Sequence, residues 1–425
     1  MHFEHPHRPQ KRLFLRLNTT LQPICQDTFP RDKAKRLAYK SGMELITTNE
    51  ALNALCAKLA KQRYITVDTE FLREKTFWPQ LCLIQTAGRD IEAMIDPLAD
   101  GIDLTPFYQL LADENVLKVM HGCRQDIEIF FHQAQTIPTP LFDTQIAAMV
   151  CGFGDAVGYE TLIRKTTGGK IDKGSRFTDW SQRPLSDNQL TYALADVTHL
   201  RDAFEFLENE LAENGRGAWL DEESALLSDP EIYAQRPENA WKRLRMQDRR
   251  PHVIGVLIEV AAWRETEAQS RNVPRNRILK DDALRELALQ GPKDKRGLTR
   301  LRAVPKGFEG SRYADPLLEA VARGRKMEKD DLPNMPAPAV NRPGIGPLVD
   351  LLKVLLKQRS EETGVAPKLI ANVSDLERIA SDDAPDVAAL KGWRHEIFGQ
   401  YAEALKAGKL ALASQDDAVV LVERG

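Results

Sequence analysis

Residues 64–72, Y-I-T-V-D-T-E-F-L, carry two acids one residue apart, Asp68 and Glu70. The β-branched residues before them mark a half-buried strand, and positions i and i+2 of a strand point to one face. Both carboxylates therefore leave the strand end together. Two close carboxylates repel, so the pair shares a proton, surrounds a cation, or consists of two unrelated solvated acids. Further acids fall at favoured places: Asp126 early in a helix after a short apolar strand, and Asp196 four residues beyond Tyr192 on a long helix. Residues four apart on a helix stack on one face. Four carboxylates from several elements would supply the hard oxygen ligands with which two divalent ions, about 4 Å apart, clamp an in-line phosphoryl displacement. A phenol one turn from such an acid is placed to orient the attacking water. Asp143 reads equally as a cap at a strand–helix junction or as an outer-shell acid behind the ligands.

The elements that must position these residues follow from periodicity. M-E-L-I-T-T-N-E-A-L-N-A-L from Met43 predicts a helix capped by Thr48 or Asn49. Runs at 64–71, 81–86 and 91–96 predict a three-stranded antiparallel meander. Strands at 117–121 and near 141 then alternate with helices, which makes a mixed α/β sheet. A Gly-, Lys- and Arg-rich stretch at 152–185 precedes the long helix opened by Ser186 and Asp187. Beyond about residue 230 only helical patterns remain, and a repeat is visible at a constant offset of 92, with V-P-R-N-R-I-L-K-D-D-A-L-R-E-L-A (273–288) against V-A-P-K-L-I-A-N-V-S-D-L-E-R-I-A (365–380). The expected organisation is a disordered extension over 1–42, an α/β domain over 43–230, helical domains over 236–328 and 344–412, a Pro-rich linker over 329–343, and a tail over 413–425.

A chain of 425 residues with 42% hydrophobic and 28% charged residues is a soluble, multidomain protein by composition. Its net charge of −3 excludes a strongly basic field, so a nucleic acid has to be held by local patches or metal ions. Cys25, Cys56, Cys82, Cys123 and Cys151 show no C-x-x-C spacing, which argues against structural zinc and a disulfide framework and for a cytoplasmic setting. No apolar run of about eighteen residues predicts a membrane span, and the extension lacks the apolar core of a signal peptide.

V-D-T-E-F, H-G-C-R-Q-D-I-E and Y-A-L-A-D together resemble the three motifs of the DEDD superfamily of 3′-5′ exonucleases, in its tyrosine subclass. F-W-P-Q-L-C-L-I-Q and D-W-S-Q-R-P-L are similar to the ribonuclease D family, and the repeated helical units to its HRDC domains. The resemblance implies a ribonuclease H-like exonuclease domain followed by two small all-α HRDC-like domains. It also implies removal of nucleotides from RNA 3′ ends, notably those of precursor tRNA and other structured RNA, with release of 5′-mononucleotides. Asp68, Glu70, Asp126 and Asp196 become ligands of two Mg²⁺ or Mn²⁺ ions, oxygen ligands suiting hard cations, and Tyr192 positions or helps deprotonate the attacking water. The second motif departs from the family in Cys123-Arg124-Gln125, where small or polar residues are commoner.

Substrate contacts are expected from aromatic stacking and positive charge, with Phe71, Trp78, His121, Trp180 and Arg183 as candidates. For Trp78 and Trp180 the alternative is a ring packed in the core, and for His121 a locally satisfied imidazole. Basic runs at 241–250 and 293–302 read as solvated surface or as phosphate grips. A DNA exonuclease acting in repair, and a non-catalytic RNA-binding scaffold, are the competing functions.

Overall fold

A computed structural model describes residues 44–171, 174, 178–333 and 344–424. The extension expected over 1–42 and most of the Pro-rich linker lie outside the described residues. A six-stranded sheet is built from β1 (Glu44–Ile46), β2 (Tyr64–Leu72), β3 (Gln80–Ala87), β4 (Glu92–Ile95), β5 (Leu117–Met120) and β6 (Leu141–Asp143). Its order is β1-β4-β3-β2-β5-β6. Strands β2, β3 and β4 form the antiparallel meander, while β5 and β6 add in parallel beside β2. The mixed sheet is as the sequence predicts. Strand β1, which pairs in parallel with β4, is not among the expected strands, because three residues carry too little alternation to mark one.

Helices cover both faces. On one, α1 (Asn49–Leu59), α2 (Thr105–Ala112) and α3 (Arg124–Ala134) bury Leu52, Phe107 and Phe130 against Ile65 and Val67. On the other, α4 (Thr144–Val150), α5 (Tyr159–Thr167) and α6 (Asp187–Asn214) pack Ala147, Leu162 and Phe204 onto Tyr64, Val119 and Phe142. Strand β2 thus sends odd-numbered residues to α1–α3 and even-numbered ones to α6. This alternation decides which acids can meet.

After α7 (Gly217–Leu227), the first helical module contains α8 (Pro251–Ser270), α9 (Arg275–Ile278), α10 (Asp281–Gln290), α11 (Lys295–Leu298) and α12 (Ala314–Gly324). Helices α8 and α12 approach so closely at Gly255 and Gly324 that a Cβ on Gly255 would stand 2.3 Å from the Gly324 carbonyl oxygen. The second module contains α13 (Ile345–Thr363), α14 (Pro367–Ile370), α15 (Val373–Ser381), α16 (Gly392–Arg394) and α17 (Gln400–Lys406). Residues from 413 onward, expected as a tail, instead belong to a hairpin of β7 (Leu410–Gln415) and β8 (Ala418–Glu423). Both turn residues, Asp416 and Asp417, have left-handed φ of 50° and 63°, the geometry of a tight two-residue hairpin turn. Leu410, Leu412 and Leu421 pack on the second module. Among the described residues no helix is long and apolar enough to cross a membrane.

Candidate active site

The site begins with Thr66 on β2. Its hydroxyl is 2.9 Å from the Val197 carbonyl, to which it donates, and this bond fixes how α6 lies along the strand. Asp68 and Glu70, two and four residues further, leave the same face. The neighbouring helix presents Tyr192 and Asp196 to them. A bulge in the β2–β3 pairing falls between Glu70 and Phe71, ending the regular ladder beside the acids, where bulges commonly re-aim side chains.

Helix α6 starts with a reciprocal capping box between Ser186 and Gln189 and ends at Gly215, whose φ is 68°. Such caps satisfy orphan backbone groups at both ends of a helix, so Tyr192 and Asp196 sit on a long, well-anchored element. The Tyr192 phenol hydrogen-bonds the Asp196 carboxylate. Its pKa is raised by burial first and then by the charges of Asp196, Glu70 and Asp68. Asp196 thus contacts the phenol directly, and Glu70 and Asp68 lie within electrostatic reach of it.

Asp126 arrives from the opposite face of the sheet, in the first turn of α3, where the helix dipole favours an anion. Thr69, the middle residue of D-T-E, donates a hydrogen bond to the Asp126 carboxylate. The Asp126 pKa is pushed up by burial and by the charge of Asp68, and that of Asp68 is raised by burial. Neither shift has a lysine or arginine among its causes. A cleft of about 260 Å³ opens beside them, lined by Asp68, His121, Tyr159, Tyr192, Asp196 and Leu200 among others.

Residues 43–212 match the 3′-5′ exonuclease family, and residues 255–321 match the HRDC domain. Ribonuclease D of Nitrobacter hamburgensis is 53% identical over 382 residues, covering 90% of this chain and 100% of that protein. Ribonuclease D of Jannaschia sp. is 51% identical over 383 residues, covering 89% of this chain and 99% of that protein. The chain belongs to the ribonuclease D family. A crystal structure of Escherichia coli RNase D, described as an exoribonuclease involved in structured RNA processing, is similar with a TM-score of 0.74 and 28% identity, covering 87% of this chain and 99% of that one.

Membership makes the protein a divalent-metal-dependent 3′-5′ exoribonuclease with a ribonuclease H-like domain and an HRDC domain. The donor set fits a hard cation. The affinity of Asp68 and Asp126 for protons is raised because hydrogen bonds with Thr69 offset their burial only in part and no cation is among the causes, and a divalent ion would supply that charge. Among the described residues no three His, Cys, Asp or Glu side chains already close into a cage. Asp126 reaches the site from α3, across the strand from Asp196 on α6.

Asp143 serves as a junction. Its carboxylate accepts the backbone N–H groups of Gly122 (2.9 Å), Cys123 (3.0 Å) and Gln145 (2.8 Å), which caps α4 and fixes the turn that launches α3 and Asp126. His121 lines the cleft with Nδ1 3.0 Å from the Thr144 hydroxyl and its ring edge-on to Tyr159. Three expected substrate contacts are otherwise engaged. Trp180 is 2% exposed and packs with Cys82, Leu83 and Met94. Arg183 makes a two-point ion pair with buried Asp96, 2.6 Å at each contact, and also donates to the Cys82 carbonyl. Trp78 stacks on His132 with ring centroids 3.7 Å apart, and its backbone N–H donates to Asn272 of the first module. Phe71 packs partly against the core on the α1–α3 side.

Sequence reasoning missed three supporting residues. Thr69 is overlooked because it stands between the acids and points the other way. Tyr159 donates through its hydroxyl to the backbone carbonyl of Asp196. Gln85 on β3 lies directly opposite Asp68, is fully buried, and leaves both side-chain amide atoms without a hydrogen-bond partner among the described residues. The only signal for Gln85 was a polar residue inside the apolar run L-C-L-I-Q-T.

Proposed function

We propose that this exoribonuclease trims structured RNA, precursor tRNA included, one nucleotide at a time from the 3′ end, releasing 5′-mononucleotides. The observation that supports this reading is one cleft lined by Asp68, Tyr192 and Asp196, with Glu70 on the same strand face as Asp68 and Asp126 tied to Thr69 between them. In this reading Asp68, Glu70, Asp126 and Asp196 hold two Mg²⁺ or Mn²⁺ ions. When bound, these lower the pKa of a water, polarise the scissile phosphate and stabilise the leaving 3′-oxygen. The protein does the rest. A phenol is neutral at working pH, so Tyr192 orients the water through a hydrogen bond. Thr69 fixes one oxygen of Asp126, and Tyr159 fixes the backbone under Asp196.

Asp68→Asn or Asp196→Asn is expected to abolish nucleotide release from 5′-labelled RNA with Mg²⁺ present, while melting temperature and RNA binding stay near the parent values. Retained release by either purified variant would remove the metal-ligand assignment. Tyr192→Phe is expected to slow release by about 10²–10⁴-fold with little change in the Mg²⁺ concentration required. An unchanged rate would reduce Tyr192 to packing. Matched DNA degraded as fast as RNA would overturn the substrate assignment.

A further inference from the structure

A second cavity, of about 430 Å³, lies between the loop that follows β2 and the first helical module, and Arg73, Arg243, Arg264, Arg275, Asn276 and Asp281 are among its lining residues. Four guanidiniums face this space with one lining carboxylate. Acids set behind the arginines orient them. Glu128 takes Arg73 at 2.7 and 3.0 Å. Glu265, with 1% side-chain exposure, takes Arg275 in a two-point contact at 2.6 and 2.7 Å and Arg243 at 2.8 Å. Asp281 takes Arg264 at 2.6 Å, and the same nitrogen donates to the Leu279 carbonyl.

These pairings leave donors over. Arg243 bonds Glu265 through one nitrogen. Arg264 is 2% exposed, yet its Nε is buried with no partner among the described residues. A buried, charged donor left unmade is costly and calls for an acceptor. Planar guanidinium forks held in place match the oxygens of a phosphate. Four guanidiniums against Glu128, Glu265 and Asp281 also leave one positive charge in excess. The helical scaffold does not need this arrangement: at the repeat offset of 92, Arg264 and Arg275 correspond to Leu356 and Pro367, and the second module folds without them.

Arg73 is the third residue after Glu70, about 10 Å along an extended chain. The cavity therefore adjoins the strand that carries the candidate metal ligands. We propose that it is a backbone subsite, taking a phosphodiester of the substrate RNA upstream of the 3′ end while that end occupies the cleft. This rests on the exoribonuclease reading of the cleft and extends it to where the strand is gripped.

The test uses full-length protein in the Asp68→Asn background, so that RNA survives, and measures binding of single-stranded RNA of about twenty nucleotides across a KCl series. Arg243→Gln is expected to weaken binding about tenfold near 0.1 M salt and to lower the slope of log affinity against log salt by about 0.7. Asn276→Asp adds a carboxylate to the cavity at an exposed position without breaking an ion pair, so its folding is not at stake, and it is expected to weaken binding similarly. Binding of a dinucleotide, too short to span both sites, stays at the parent value. Parent-like affinity and slope in both variants, or equal loss on the dinucleotide, would overturn the subsite. So would a thermal shift of the parent protein by inorganic phosphate that both variants lack while their RNA binding is unchanged, because the cavity would then take a free anion. Failure of the catalytic reading shows separately, as nucleotide release by the Asp68→Asn protein.

Discussion

The two helical modules share a core and differ in what they hold. Ile278, Leu284, Leu287 and Ala288 of the first correspond at the offset of 92 to Ile370, Leu376, Ile379 and Ala380 of the second, and all eight are buried. Helices α9 and α14 start at that same offset, as do α10 and α15. Around this common interior the surfaces diverge. The first module takes the loop after β2 into its core: Phe77 is 2% exposed among its apolar residues, and the Asn272 side chain accepts the N–H groups of Phe77 and Trp78 at 3.1 and 2.9 Å. The second holds α7 and the end of α4. Trp393 stacks on Trp219 at 4.7 Å, Arg394 pairs with Glu222 and Glu223, and the Ala366 N–H donates to the Met149 carbonyl. Duplicated helices thus keep the apolar positions that make them fold, while exposed positions are free to choose a partner.

Truncation should break this comparison most visibly. A chain ending at residue 333 is expected to retain the stability of the α/β domain and hydrolysis of short single strands. One ending at 235 also strips the cover from Phe77, worth about 1.5–3 kcal/mol of burial, and loosens the loop next to Glu70. Thermal melts and rates on a short RNA compare the two, and equal behaviour would mean that the first module is as dispensable as the second.

A smaller perturbation uses the close glycine contacts. Gly255→Val places a side chain against the Gly324 carbonyl inside the first module and is expected to cost about 3 kcal/mol. At Gly152, φ is +83° and a Cβ would stand 2.2 Å from the Gly364 carbonyl oxygen. Gly152→Ala should therefore loosen only the docking of the second module, by about 1–3 kcal/mol. Hydrogen exchange resolves them: the first change exposes α8–α12, the second α13–α15. Exchange in α8–α12 on changing Gly152 would erase the distinction.

The mildest handle is pH. Glu223, facing Arg394, Glu222 and Trp393, has its pKa raised above 4.5, because burial outweighs the arginine. A carboxyl whose folded pKa is raised stabilises the folded state fully below its unfolded pKa, and that contribution is lost as pH rises through the folded pKa. Docking of the second module is therefore expected to loosen slightly as pH rises above about 4.5, which exchange of the α13 amides across pH would show. A flat profile, or the opposite slope, would contradict it.

The sequence made legible what depends on short-range pattern. The meander and the long capped helix follow from periodicities within a few residues, and the repeat from a gapless match at the offset of 92. What escaped depends on partners far along the chain. Arg183 finds Asp96 at a separation of 87 residues, and Trp78 finds Asn272 at 194. No local rule shows that the first is a structural ion pair or that the second belongs to an interface. Asp143 reads two ways in the sequence for the same reason: the Gly122 and Cys123 N–H groups that it accepts lie some twenty residues earlier. The hairpin at 410–423 was a local miss: V-V-L-V after Asp416-Asp417 is a strand signal, but Asp-Asp announces a tight turn less clearly than Asn-Gly.

Asn272 gives the border between catalytic and helical parts an unexpected meaning. One amide oxygen, just past the end of α8, receives two N–H groups from the segment that leaves β2. A boundary drawn along the chain near residue 235 cuts between two sequence families, whereas a boundary drawn by burial passes through the interior of the first module. Grafting the nuclease onto another carrier, or swapping HRDC units between relatives, has to move the loop and the end of α8 as one piece.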